Sequence, residues 1–126
     1  MALTVVGIQE SHVLLGLGLM QRSYLAVPGT SDYVTGGYAI TTTLTGFLKL
    51  QTAWISGSNS TASPASGGWY AECVFPIAQF GAVATGAGFD GYAQFLLKVY
   101  VASTGVELAS GGNLTGAIWA FTCQGF

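Results

Sequence analysis

The sequence predicts an all-β fold: a single-domain β-sandwich or jelly-roll-like structure, with residues 1–19 as a candidate N-terminal arm. Short runs rich in Val, Ile, Thr and aromatic residues recur along the chain. Clusters of Gly, Ser, Asn and Pro separate these runs, and helical patterns are nearly absent. A length of 126 residues suits one domain with one core. We therefore assign residues 1–126 to a single β domain.

Six segments are expected to form strands because they are rich in β-branched and aromatic residues. In chain order these are Leu3 to Ile8, Met20 to Val27, Phe47 to Ile55, Gly68 to Phe75, Tyr92 to Val101 and Ala117 to Gln124. Alternation of apolar and polar residues is clearest in residues 47–52 and 94–101. One face of each of these strands should therefore be buried and the other partly exposed to solvent.

Turn-forming residues fill the connections, at residues 28–32, 35–37, 57–68 and 110–113. Residues 57–68 are small and polar, so they cannot bury enough area to offset their ordering entropy. We expect a flexible Ser- and Gly-rich loop there. The alternative is a domain boundary, but each half of the chain would then be too small for a good core.

The N-terminal region is apolar and punctuated by Gly16 and Gly18, which let a backbone bend along a partner's surface. It holds more apolar side chains than one short strand can bury in its own sandwich, which favours an arm docked on a neighbouring chain. The candidate contact residues are Leu3, Val5, Ile8, Leu14, Leu15, Leu17 and Leu19. The other interpretation is that this region forms the first strand and turn of the sandwich.

The charge content is very low, because only 6% of the residues are charged, against about 25% in typical globular domains. Because so few charges solvate the surface of a monomer poorly, we expect other protein chains to cover much of that surface. A surface wetted by uncharged polar residues is the alternative.

Three basic residues cannot neutralise a nucleic-acid backbone. The apolar run from Val13 to Met20 is too short to cross a bilayer. Neither nucleic acid nor a membrane is therefore an expected partner.

Nothing in the sequence points to catalysis, a metal or a cofactor, so we expect a protein that is not an enzyme. His12 is the only histidine, and the five carboxylates are scattered. Cys73 and Cys123 form no CxxC pair and lie in apolar strand patterns. We expect buried free thiols, with a disulfide between them as the alternative.

One stretch, Asp32-Tyr33-Val34-Thr35-Gly36-Gly37-Tyr38-Ala39-Ile40 followed by Leu44-Thr45-Gly46-Phe47-Leu48, resembles small virion structural proteins of tailed bacteriophages. The resemblance continues at residues 97–100, 106–108 and 113–116 and covers roughly residues 20–126 as a loose pattern. It implies a head decoration, or cement, protein without catalytic residues. The low charge, the Ser-rich loop and Cys123 depart from the pattern.

The resemblance implies that the chain lies in the virion, on the phage head, after assembly in the host cytoplasm. Its expected partners are a major capsid protein and further copies of itself, with a trimer favoured. Two alternatives remain: a tail-tube or connector subunit, and a carbohydrate-binding module on a tail or fibre. The residues that suggest sugar binding are Trp54, Trp69, Tyr70 and Trp119. Aromatic side chains in strands more often pack in a core or an interface.

Overall fold

The computed structural model describes residues 3–7, 13–14, 20–59, 68–75, 91–114 and 116–126. Within these residues the chain forms eight strands and one single-turn helix. The strands are β1 (Thr4–Gly7), β2 (Val13–Leu14), β3 (Met20–Val27), β4 (Tyr38–Thr41), β5 (Leu50–Ser58), β6 (Trp69–Val74), β7 (Gln94–Val101) and β8 (Trp119–Gly125), and the helix is α1 (Thr42–Thr45). The prediction of an all-β fold is confirmed.

The strands form two antiparallel sheets. Sheet A has the order β1-β3-β8-β5, and β2 pairs with β3 as a fifth strand. Sheet B has the order β4-β7-β6. In the central pair of sheet A, Met20 of β3 lies opposite Gly125 of β8.

The two sheets pack face to face around one core, in a sandwich-like arrangement. Phe95 of sheet B and Phe121 of sheet A meet edge to face, with ring centroids 5.7 Å apart. Tyr24 stacks on Phe121 at 5.2 Å within sheet A. The largest fully buried side chains are Trp119, Tyr33, Phe95, Phe121, Ile40, Leu50, Leu97, Leu114, Val99 and Cys123. The core therefore draws on both sheets and on the loops at their edges.

Strand β3 has the bounds that the sequence predicts, and it ends where Pro28 cannot donate to a ladder. Strand β5 begins later than expected, at Leu50, because residues 47–49 turn instead of extending the strand. The amide of Leu48 donates to the carbonyl of Phe126 at 2.7 Å, which ties this turn to the C-terminus. Strands β2 and β4 are absent from the sequence prediction.

Helix α1 closes the end of the sandwich between β4 and β5. The hydroxyl of Thr41 accepts the amide of Leu44 at 3.3 Å, an N-cap bond. Gly46 ends the helix with φ +83°, in the left-handed region that favours glycine. The carbonyl of Thr45 then accepts the Tyr24 hydroxyl and, at 3.3 Å, Nη1 of Arg22. The single helical turn thus binds to β3 of sheet A.

Strand β5 lies at the edge of sheet A and is irregular. Its pairing with β8 shifts register twice, between Leu50 and Thr52 and between Ile55 and Gly57. Of the predicted loop at residues 57–68, Gly57 and Ser58 belong to β5, and residues 60–67 lie outside the described part. No helix among the described residues is long and apolar enough to cross a membrane.

Candidate interaction surface

The structure describes part of the predicted N-terminal contact segment. β1 pairs with β3 as a strand of sheet A, and Leu3 and Val5 are half-buried against the core. Leu14 belongs to β2, which also pairs with β3. The other candidate contact residues, Ile8, Leu15, Leu17 and Leu19, lie outside the described residues. In the described part, residues of this segment thus contribute to the chain's own sandwich.

The outer face of sheet A, here called the neutral face, carries no charged side chain among the described residues. Tyr24, Trp119 and Phe121 point into the core, so their strand neighbours point outward. The outward residues are Thr4, Val6, Gln21, Ser23, Leu25, Val27, Thr52, Trp54, Ala120, Thr122 and Gln124. Arg22, the one charged residue in the described strands of sheet A, is on the inner side beside the Phe47 ring, 5.9 Å from its centroid.

Polar side chains on the neutral face form hydrogen bonds with one another. Nε2 of Gln124 donates to Oε1 of Gln21 at 2.9 Å. The hydroxyls of Ser23 and Thr122 are hydrogen-bonded at 2.9 Å. Because these groups are already paired across β3 and β8, covering them costs less than covering free polar groups. Trp54 extends the row beside Thr122 and remains 40% exposed.

An apolar row crosses the same face. The register aligns Val6, Leu25, Ala120 and Gly57 on four neighbouring strands. Gly57 has no side chain and therefore leaves its end of the row uncovered. A Cβ atom at position 57 would lie 3.4 Å from Cβ of Ala120. A shallow cavity of about 290 Å³ lies at this point, and Ile118 also lines it. The neutral face therefore offers a partner a small apolar depression with Trp54 on a nearby row.

Charged side chains gather on the opposite side of the molecule, around sheet B. Glu72 and Lys98 are paired across β6 and β7. Nζ of Lys98 lies 3.7 Å from Oε1 of Glu107. The Tyr100 hydroxyl donates to Oε1 of Glu72 at 2.6 Å, and this bond raises the pKa of Tyr100 to about 12. The two faces of the sandwich thus differ sharply in polarity.

Tyr33, Gly36 and Gly37 contact Glu107 and the middle strand β7 of sheet B, and these contacts are here called the latch. The buried hydroxyl of Tyr33 donates to Oε2 of Glu107 at 2.6 Å and accepts the amide of Val99 at 3.1 Å. The amide of Gly36 also donates to Oε2 of Glu107, at 2.6 Å. These bonds, with that of Tyr33 first, lower the pKa of Glu107. Gly37 has φ +103°, and a Cβ there would lie 2.8 Å from the carbonyl oxygen of Leu97. These hydrogen bonds hold the loop that follows β3 against β7 and against the loop that carries Glu107.

The four aromatic residues considered for sugar binding do not share one surface. Trp119 is fully buried, and Trp69 is half-buried against the core. Trp54 is exposed on sheet A, whereas Tyr70 is 44% exposed on sheet B. Tyr70 stacks on Tyr100 instead, with centroids 5.1 Å apart and planes inclined by 13°.

The described residues hold no group of three or more His, Cys, Asp or Glu side chains able to bind a metal ion. Both cysteines are free, as predicted, but only Cys123 is fully buried, whereas Cys73 is half-buried. Burial raises the pKa of Cys73 to about 12 and raises that of Cys123 as well, so both thiols are poor nucleophiles at neutral pH. His12 lies outside the described residues.

No protein-family model, no curated protein and no solved structure matches the chain. The interaction surfaces therefore have to be interpreted from their own chemistry.

Proposed function

We propose that this chain is a structural protein of a virion without enzymatic activity, and more specifically a decoration (cement) protein. In this proposal it binds the phage head through the neutral face and bridges neighbouring shell subunits. The resemblance at residues 32–48 favours a phage particle, and the neutral face favours a protein partner.

The neutral face is the observation that carries the proposal. Burying a charged group against a partner requires desolvation of that charge, which costs several kcal/mol when it is left unpaired. A face whose polar groups are already paired, such as Gln21 with Gln124, avoids that cost. Trp54 adds a large apolar side chain of the kind enriched in interface hot spots. Sheet B, with Glu72 and Lys98, can stay in water.

The size of the neutral face suggests how binding works. Four strands spaced about 4.8 Å apart, with about seven residues of about 3.3 Å each, project an area of roughly 400 Å². A standard interface buries about 800 Å² per partner. A single contact through this face is therefore weak, and occupancy of a shell requires repeated, linked contacts. Protein that binds only the assembled shell stabilises it by mass action.

The test uses undecorated, expanded heads of the parent phage. Wild-type protein should co-sediment with the heads and raise their thermal disruption temperature. Thr52→Glu places a charge on the neutral face, at an exposed position, and should weaken binding at least tenfold. Gln94→Glu places the same charge at an exposed position on the outer side of sheet B, and should bind like the wild type. The proposal would be overturned if the heads do not bind the wild-type protein, or if the two variants bind equally well.

Self-association belongs to the same proposal, with a trimer favoured because threefold positions on a shell invite trimers. Closed rotational symmetry is the usual outcome for identical chains. Light scattering should detect the oligomer at high concentration. A monomer both in solution and on the shell would contradict this part. Spontaneous rings or tubes would instead support the tail-tube or connector alternative.

One observation favours the carbohydrate-binding alternative. The exposed ring of Tyr70 stacks on the half-buried ring of Tyr100 beside the carboxylate of Glu72, and this aromatic and acidic surface is the candidate sugar site. Glycan-array binding that is lost in Tyr70→Ala and kept in Trp54→Ala, with both variants folded, would support this function. Absence of binding to any glycan would eliminate it.

A further inference from the structure

A second cavity, of about 270 Å³, lies where the edges of the two sheets meet. Its walls are Leu3 before β1, Tyr38 and Ala39 on β4, and Leu44 on α1, together with Asp32 from the loop between β3 and β4. Three of these five residues are aliphatic. The volume is below the range of about 300–1,000 Å³ that holds drug-sized ligands. The cavity therefore fits a single side chain better than a larger molecule.

Asp32, which lines this cavity, has one unsatisfied carboxylate oxygen. Its Oδ1 accepts the hydroxyl of Tyr38 at 2.6 Å. Its Oδ2 is buried and has no hydrogen-bond partner among the described residues. Leaving a buried polar atom unpaired costs about 1–3 kcal/mol, so each such atom calls for an explanation. A donor supplied by another molecule would remove this cost.

The Lys and Arg side chains of the described residues already have contacts of their own. The chain has three basic residues. Arg22 donates to the Thr45 carbonyl, and Lys98 pairs with Glu107. Lys49 also has an interaction within the chain. The net charge of −2 is complementary to a basic partner.

We propose that this cavity is a docking pocket for one lysine side chain of the protein that the chain binds. The apolar walls would cover the lysine methylenes, while the ammonium bonds to the Asp32 carboxylate and the Tyr38 oxygen. Lysine fits better than arginine, because two acceptors cannot satisfy a guanidinium with five donors. The carboxylate can turn towards the ammonium, since the χ2 torsion of aspartate is soft. The proposal deepens the proposed function, on which it rests for the nature of the partner.

The experiment is an NMR titration of the whole ¹⁵N-labelled chain with Nα-acetyl-lysine amide. Amide signals of Asp32, Tyr38, Ala39 and Leu44 should shift together, with weak, millimolar affinity. Nα-acetyl-norleucine amide has a similar stem without the charge and should bind at least tenfold more weakly. Absence of shifts, or equal binding of the two probes, would overturn the proposal.

Two variants and one control sharpen the titration. Asp32→Asn keeps an oxygen for Tyr38 but removes the charge, so it should lose the preference for lysine. Ala39→Leu narrows the cavity and leaves the carboxylate in place, so it should block both probes. Glu72→Gln removes a carboxylate on the outer side of sheet B and should change nothing. Unchanged lysine binding in Ala39→Leu would refute the pocket even where Asp32→Asn fails to fold.

The titration contains no phage heads, so its outcome is independent of the proposed function. Heads that fail to bind wild-type protein would leave a lysine pocket for some other partner. Conversely, a negative titration would leave binding through the neutral face untouched.

Discussion

Replacing Tyr33 by phenylalanine should destabilise the fold by removing one hydroxyl from the latch. That hydroxyl donates to Glu107 and accepts the amide of Val99, a fully buried residue. The ring itself is retained, so the packing of the core changes little.

The expected loss in the free energy of unfolding is about 2–4 kcal/mol at pH 7. An unsatisfied buried amide at Val99 accounts for about 1–3 kcal/mol. A lost hydrogen bond to a charged group is worth about 1.5–3 kcal/mol. The second part is reduced because Glu107 still accepts from Gly36 and is partly exposed. For a chain of this size the change corresponds to a fall in Tm of roughly 6–16 °C.

The effect should depend on pH with a definite sign. The pKa of Glu107 in the folded protein is below its ordinary value of 4.5. Its contribution to stability is therefore fully present above that value and is lost as the pH falls through the folded pKa. The gap between wild type and Tyr33→Phe should be constant from about pH 6 to 8 and narrow below about pH 4.

Urea denaturation followed by circular dichroism at several pH values measures both effects. Tyr70→Phe is the matched control, because it removes a hydroxyl from a tyrosine that is 44% exposed. That control should stay within about 0.5 kcal/mol of the wild type. Equal stabilities of the two variants, or a Tyr33→Phe defect that grows in acid, would refute the reasoning.

Three further predictions concern packing and reactivity. Val5→Ala should lower the free energy of unfolding by about 1 kcal/mol, because Val5 packs against the core. Val6→Ala, on the neutral face, should leave the free energy of unfolding unchanged. Equal losses of the two variants in urea denaturation would contradict this placement of β1. Gly125→Ala should cost at least about 2 kcal/mol in the same assay, because the new Cβ overlaps a backbone carbonyl. Because burial raises the pKa of Cys73 to about 12, its thiol is almost entirely protonated at pH 8. Cys73 and Cys123 should therefore react with Ellman's reagent only after unfolding, and rapid native labelling would exclude this.

Sequence patterns predict the long strands well and the short ones poorly. In residues 94–101 every odd-numbered residue is apolar and three of the four even-numbered ones, Gln94, Lys98 and Tyr100, carry a polar group. β7 indeed buries Phe95, Leu97 and Val99. β4 is only four residues long and follows two glycines, so no period can be recognised in it. Thr41 and Gly46 do signal the ends of α1, but the Thr-rich turn between them has weak helix propensity.

The surfaces depend on pairings that no local pattern contains. The neutral face exists because β8, from the end of the chain, lies between β3 and β5. The sequence does carry one usable signal, since Arg22 is the only charge in the described strands of sheet A. The lysine pocket has no such signal, because Leu3, Asp32 and Leu44 meet only in the folded chain.

The two register shifts of β5 affect how easily another strand could add to this edge of sheet A. A regular, exposed strand edge is a template on which another chain can add and start a fibril. Proteins often guard such edges with lysine, but β5 contains no charged residue. Its shifts leave a regular run of only Thr52–Ile55 between them. Because bulges bend and twist an edge, a foreign strand finds little to pair with in register. Among the described strands, this edge has an irregular backbone in place of charge, and we expect it to resist the addition of another strand.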